Sequence, residues 1–202
     1  MIAGLILAGG ESRRFGGDKS QAKLGGRGLC DWVARRAAPL VDSLFLNAPK
    51  VPSSGICASL PLIPDGPRAR LGPLAGVYAG LRWLEIHRSE ARWLMTFPVD
   101  SPFFPDDLVS RLFEAAAEKN VPAVASAGER LHPAFALWPI GLLSRLDEFL
   151  HAAGGRKMMT FLEQEGAVPV SFPDRSFDPF LNINTPADLA GAEAIAKLYF
   201  GS

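Results

Sequence analysis

The residues best suited to chemistry fall in two places, an early glycine-rich basic stretch and a later acidic turn. Gly9-Gly10 is followed by Arg13, Arg14, Gly16, Gly17, Asp18 and Lys19. Clustered backbone N–H groups beside Arg and Lys suit a polyphosphate. Arg grips two oxygens in a fork and Lys supplies a point charge, so Arg14 and Lys19 are the candidate cations for a triphosphate. In the second place, Pro98-Val99-Asp100-Ser101-Pro102, a carboxylate follows a buried run in a turn constrained by two prolines. Mg2+ needs one or two carboxylates and keeps most of its waters, which makes Asp100 the candidate metal ligand. The open alternative is that Asp100 only caps its turn. Such a pair of sites matches nucleotidyl transfer, an in-line displacement that needs neutralised phosphates, a divalent cation and a held acceptor. An acceptor phosphate is already ionised near neutral pH, so no general base is required.

Positioning such groups takes a buried strand feeding each loop. Residues 2–8 are an almost unbroken apolar run, expected of a strand covered on both faces of a parallel sheet. Its carboxyl end is where open α/β sheets bind ligands. The loop that follows is neither common fingerprint. Asp18 separates Gly17 from Lys19, against the Gly-Lys-Ser/Thr of a P-loop, and adjacent Gly9 and Gly10 break G-x-G-x-x-G. Residues 29–40 carry apolar residues at helical spacing, with Pro39 near the end, and 44–48 form a short strand ending in Asn47. A turn-rich stretch follows, with an apolar piece at 60–63 as a further strand, then Asp65, Arg68 and Arg70. Pro73 opens a helix at a position where no amide donor is lost. Gly76 and Gly80 share one face of it, for close approach either to a strand or to a nucleotide. The central strand is 92–97, and Asp106 and Asp107 suit the N-terminal charge of a helix around 106–118. Strands at 121–126, 131–138 and 167–172, helices at 141–151 and 156–165, and a last helix from Pro186 with Thr185 as N-cap complete the chain. The alternation predicts one α/β domain, a three-layer Rossmann-like fold with a mostly parallel sheet.

Composition narrows the function classes. At 202 residues and 48% apolar, the chain has ample material for one core. Charges balance at 21 against 21, which argues against nucleic acid or a membrane surface as the main partner. No apolar run approaches the roughly 18 residues of a membrane span, and no basic leader precedes residues 2–8. Cys30 and Cys57 show no C-x-x-C spacing or disulfide framework, so both are expected as buried thiols in a reducing cytoplasm.

The opening Leu7-Ala8-Gly9-Gly10, with Ser12, Arg14, Phe15, Gly16, Asp18 and Lys19, resembles L-A-G-G-x-S-x-R-[MF]-G-x-D-K. That is the start of the molybdenum-cofactor guanylyltransferases, members of the nucleotidyltransferase superfamily that includes the sugar-nucleotide pyrophosphorylases. The likeness runs from residue 3 to about 190 and is strongest at the N-terminus, at 72–80 and at 100–103. It implies the nucleotide-diphospho-sugar-transferase-like fold, with a nucleotide-binding part over about 1–100 and an acceptor-binding part over about 101–200. It implies transfer of GMP from GTP to a molybdopterin-type cofactor, with pyrophosphate released and Mg2+ as cofactor. Asp100 matches the D-x-P-F aspartate that binds the metal, although Val99 and Ser101 replace a more usual Cys and Met.

Leu7, Ala8, Gly9, Gly10, Lys19, Asn47, Asp65 and Gly72 match the nucleotide site. Guanylyl-transferring members carry L-A-G-G where cytidylyl-transferring cousins carry L-A-A-G. An Asx turn for Asn47, and closure of the D-G-P turn for Asp65, remain open. Lys23 is expected as a surface residue. On the acceptor side the resemblance points to Asn182 and Asn184 of N-x-N-T-P, which alternate along an extended segment and so face one way; stabilising the turn before the last helix is their alternative. Arg156 and Lys157 suit the dithiolene-bearing cofactor, and His132 suits packing better than proton transfer. The implied protein is a cytoplasmic monomer with transient contacts to cofactor-biosynthesis or acceptor proteins. The rival readings are a relative acting on another phosphorylated acceptor, such as a sugar phosphate or the cytidylyl cofactor variant, and a nucleotide- or cofactor-binding module without catalysis.

Overall fold

The computed structural model describes residues 1–9, 23–66, 71–87, 90–152, 157–173, 176–199 and 201. The first strand, β1 (Ile2–Leu7), is the buried apolar run, and its side chains divide between two cores. Leu5 and Leu7 enter one and Ile6 the other, as a strand covered on both faces requires. A short hairpin, β2 (Lys23–Leu24) and β3 (Arg27–Gly28), turns through Gly25 and Gly26 at φ 56 and 79. Two positive φ values in a two-residue loop are what glycine supplies most cheaply. The hairpin runs into α1 (Leu29–Ala37), which tightens into a 3-10 turn over Ala38–Leu40 at Pro39.

Next come β4 (Ser43–Asn47), α2 (Pro73–Ile86), β5 (Trp93–Pro98) and α3 (Leu108–Ala117). The second half contributes β6 (Ala123–Ala127), β7 (Arg130–Pro139), α4 (Leu143–His151), α5 (Met158–Gln164), β8 (Val168–Phe172) and α6 (Pro186–Tyr199). The main sheet has order β4-β1-β5-β7-β6-β8. Only β7 runs antiparallel to its neighbours, because two residues, Gly128 and Glu129, join it to β6. So short a connection closes a hairpin and nothing else. The mostly parallel sheet is as expected. The apolar piece at 60–63 is less than a strand: it makes one parallel bridge, Leu46 to Leu62, with Ile63 N–H donating to Leu46 O at 2.8 Å. Pro61 and Pro64 lack the N–H groups a longer ladder needs.

Helices cover both faces. Val33 of α1 and Leu108 and Leu112 of α3 pack with Ile6, Met95, Phe97 and Leu137. Leu74, Val77 and Leu81 of α2, Leu146 of α4 and Phe161 of α5 pack with Leu5, Leu94 and Trp138. A smaller cluster joins Ala192 and Ala196 of α6 to Leu24, Trp32, Phe103 and Ile183. Gly80 lets α2 settle on the sheet, since a Cβ there would lie 2.8 Å from both Leu5 Cδ2 and Leu94 Cδ2. Gly76 does the same against Leu7 and Asn47. Of the two partners expected for this glycine face, the structure supplies the strands.

The cysteines depart from expectation. Cys30 and Cys57 are not thiols: they form a disulfide between α1 and the 3-10 turn Ile56–Ser59, with Cα atoms 6.2 Å apart. The 27-residue separation carries no motif, and only packing of that turn on α1 brings the sulfurs together. Asp31 Oδ1 strengthens the contact by accepting from Cys57 N–H at 3.0 Å. Among the described residues, no helix is long and apolar enough to cross a membrane.

Candidate active site

Three strands end in one row at the carboxyl edge. Leu7 pairs with Asn47 on one side and with Pro98 on the other. With strands about 4.8 Å apart, Asn47 and the start of the acidic turn are separated by about 10 Å across the sheet. Ala8 N–H donates to Asn47 O at 2.8 Å, and Val99 N–H donates to Leu7 O at 3.1 Å. The sheet thus delivers the beginning of the glycine stretch and the Asp100 corner to neighbouring positions. Gly10, Arg14 and Lys19, with Arg13, Gly16 and Gly17, lie outside the described residues, as do Arg68, Arg70 and Arg156.

Beside Gly9 the polar groups form a fixed arrangement. The amino group of Asn47 donates to Ile63 O at 2.9 Å and to Asp65 Oδ1 at 2.5 Å. Those bonds span 16 and 18 residues, so Asn47 is not closing a local Asx turn. Both amide hydrogens are engaged, and the carbonyl Oδ1 of this buried side chain packs against Gly76 of α2. A Cβ on Gly9 would lie 3.3 Å from Asp65 Oδ2 and 3.5 Å from Asn47 Oδ1. Both side chains therefore turn oxygens toward Gly9, with Asp65 the less buried of the two. Asp65 is tied to Asn47 rather than spent on its own turn, whose positive φ of 60 falls on Gly66. Gly72, at φ 77, starts α2 on the same edge as an exposed N-cap.

The Asp100 corner is braced by the segment before α6. Ile183 N–H donates to Asp100 O at 2.8 Å, and Ile183 is fully buried beside Phe103. Phe103 meets Phe177 edge-on at 5.8 Å, and Phe180 packs on Phe135 at 4.9 Å. With Ile183 turned inward, Asn182 and Asn184 fall on the outer side, as alternation predicts. Their partners differ. Asn182 Oδ1 accepts from the buried Ser101 hydroxyl, which also lies 3.4 Å from Asp100 Oδ1. Asn184 N–H and Thr185 N–H both donate to Asp188 Oδ2 at 2.9 Å, while Asp188 N–H donates back to Thr185 Oγ1 at 3.1 Å. This is a capping box with Asp in the usual Glu position, and it makes Thr185 the N-cap as expected.

The remaining candidates are structural neighbours. Asp106 pairs with Arg36 at 2.6 Å, Asp107 stands at the start of α3, and His132 is buried against Phe180 at 4.7 Å. Lys23 is exposed, and Lys157 is exposed at the start of α5. The sequence pointed to neither Ser101 nor the Asp188 cap. Ser101 could have been found from its place beside Asp100, whereas its bond to Asn182 joins residues 81 apart.

The family model for the MobA-like NTP transferase domain matches residues 4–167. The chain belongs to the MobA-like NTP transferase family. A relative from Cereibacter sphaeroides, named molybdenum cofactor guanylyltransferase, is 46% identical over 197 residues, covering 97% of each chain. A relative of the same name from Rhodopseudomonas palustris is 43% identical, covering 95% of this chain and 92% of its own. Among solved structures, molybdopterin-guanine dinucleotide biosynthesis protein A from Archaeoglobus fulgidus matches at a TM-score of 0.73 and 24% identity, over 98% of this chain and 99% of that one. That likeness confirms the MobA-like α/β fold.

Donors at the Asp100 corner fit a hard cation. Asp100, a half-buried carboxylate at a strand edge, is the residue that could hold one, since Mg2+ needs one or two carboxylates and keeps most of its waters. In this MobA-like NTP transferase the described residues hold no cluster of three His, Cys, Asp or Glu. A single carboxylate is the donor set expected where phosphates supply the remaining oxygens.

Proposed function

We propose that the chain transfers GMP from GTP to a molybdopterin-type cofactor and releases pyrophosphate. The observation that carries this is near-full-length identity of 46% with a molybdenum cofactor guanylyltransferase. The geometry agrees. Asp65 Oδ2, turned toward Gly9, is an acceptor suited to the N–H donors of guanine. Leu7, Ala8, Gly9 and Gly72 line the nucleotide side, with Gly10 assigned to the nucleotide and Arg14 and Lys19 to the triphosphate on sequence grounds. Asp100 would hold Mg2+, whose chemistry there is neutralising charge across the phosphates. Asn182 and Asn184 orient the acceptor phosphate for in-line attack on the α-phosphorus, with Arg156 assigned to the acceptor on sequence grounds. The reaction belongs in the cytoplasm, where GTP is supplied. The protein acts as a monomer, with transient contacts to cofactor-biosynthesis or acceptor proteins.

Pyrophosphate release with molybdopterin and Mg2+ is the test, run in parallel with GTP, CTP, ATP and UTP. GTP is expected to be preferred by at least tenfold. Preference for CTP would overturn the base assignment, and no release with any nucleotide would favour a binding module.

A further inference from the structure

We infer that Ser101 is a positioning residue for the transfer: its buried hydroxyl fixes the Asn182 amide against the Asp100 corner, so that the acceptor side and the cation side are held as one unit. The inference rests on the guanylyl-transfer reading. Ser101 has no exposed surface, and it follows Asp100 in a turn whose N–H donates to Pro98 O at 3.4 Å. A hydroxyl has one hydrogen to give. It goes to Asn182 Oδ1, the nearer acceptor, while Asp100 Oδ1 stands at 3.4 Å. Anchoring the planar amide through its oxygen leaves its amino group as the donor end available to an anionic acceptor. The backbone repeats the tie, since Ile183 N–H, one residue on, donates to Asp100 O at 2.8 Å. The same two segments are thus joined once through main chain and once through side chains. The main-chain bond holds the segments together, and the Ser101 bond sets the rotation of the amide.

A double-mutant cycle on Ser101→Ala and Asn182→Ala tests this with GTP, Mg2+ and molybdopterin. Ser101→Ala is expected to lower kcat/KM for the acceptor by about three- to tenfold, the worth of one buried hydrogen bond, with KM for GTP unchanged. Adding Ser101→Ala to Asn182→Ala should then cost nothing further. Ser101→Cys keeps the side-chain shape but weakens the donor, and should shift the acceptor parameter in the same direction. Wild-type behaviour of Ser101→Ala, independent losses that multiply, or an equal rise in KM for GTP would each overturn the inference. The ligand-free melting temperatures of the same four proteins report the pairing without turnover. Non-additive melting shifts alongside a wild-type enzyme that releases no pyrophosphate would sink the functional reading and leave the Ser101–Asn182 pairing standing. Additive melting shifts would remove the pairing itself.

Discussion

At the residue scale, the polarity of the nucleotide edge is decided by Asn47. Its amino group is used up on Ile63 O and Asp65 Oδ1, so the groups turned toward Gly9 are oxygens. Asp65→Asn would put a donor where guanine's amino group needs an acceptor. Raised KM for GTP, by about tenfold or more, is the expected result in steady-state kinetics, because hydrogen bonds to charged groups are worth about 1.5–3 kcal/mol. Lys19→Ala tests the phosphate side. A positioned charge serving developing negative charge is worth about 2.7–4 kcal/mol, so kcat should fall about 10²–10³-fold. Guanosine binding by calorimetry should change far less than GTP binding; equal loss of both would point to a base-binding or folding role for Lys19.

At the element scale, α2 sits as close to the sheet as its glycines allow. Gly80→Ala would press a methyl onto Leu5 and Leu94, and overpacking of this kind costs about 1–3 kcal/mol. Thermal unfolding should show that loss with KM for GTP unchanged. Gly76→Ala reaches Asn47 as well and should raise KM for GTP besides lowering the melting temperature. Much of this scale was legible in the sequence. The apolar run at 2–8 fitted a doubly covered strand, and Pro73 and Thr185 marked helix starts that the structure keeps. What stayed hidden were pairings between distant residues. Pro61 and Pro64 were the readable sign that the strand at 60–63 would shrink to one bridge on Leu46, whereas nothing near Ser101 shows that Asn182 will meet it. Side-chain period reports which face of an element is buried, never which distant segment lies against it.

At the scale of the whole molecule, the sheet edge assembles the site and a disulfide fastens its flank. Cys30 lies on the helix that follows the β2–β3 hairpin, and Cys57 lies on the turn that leads to Asp65. Cross-linking 27 residues removes loop-closure entropy from the unfolded chain. On that account Cys57→Ser should lower stability by about 3–4 kcal/mol in denaturant unfolding, and a reductant should produce the same shift in wild type. Balanced charge leaves attraction for phosphates to local groups, which places the burden of the reaction on the Gly9 edge and the Asp100 corner. The most direct measurement is the rate of pyrophosphate release from GTP, with Mg2+ and molybdopterin, for wild type and Asp100→Ala side by side. The expected result is Mg2+-dependent release by the wild type and a loss of at least about 10²-fold in Asp100→Ala, with an unchanged circular dichroism spectrum. Near-normal release by a folded Asp100→Ala protein would contradict the account.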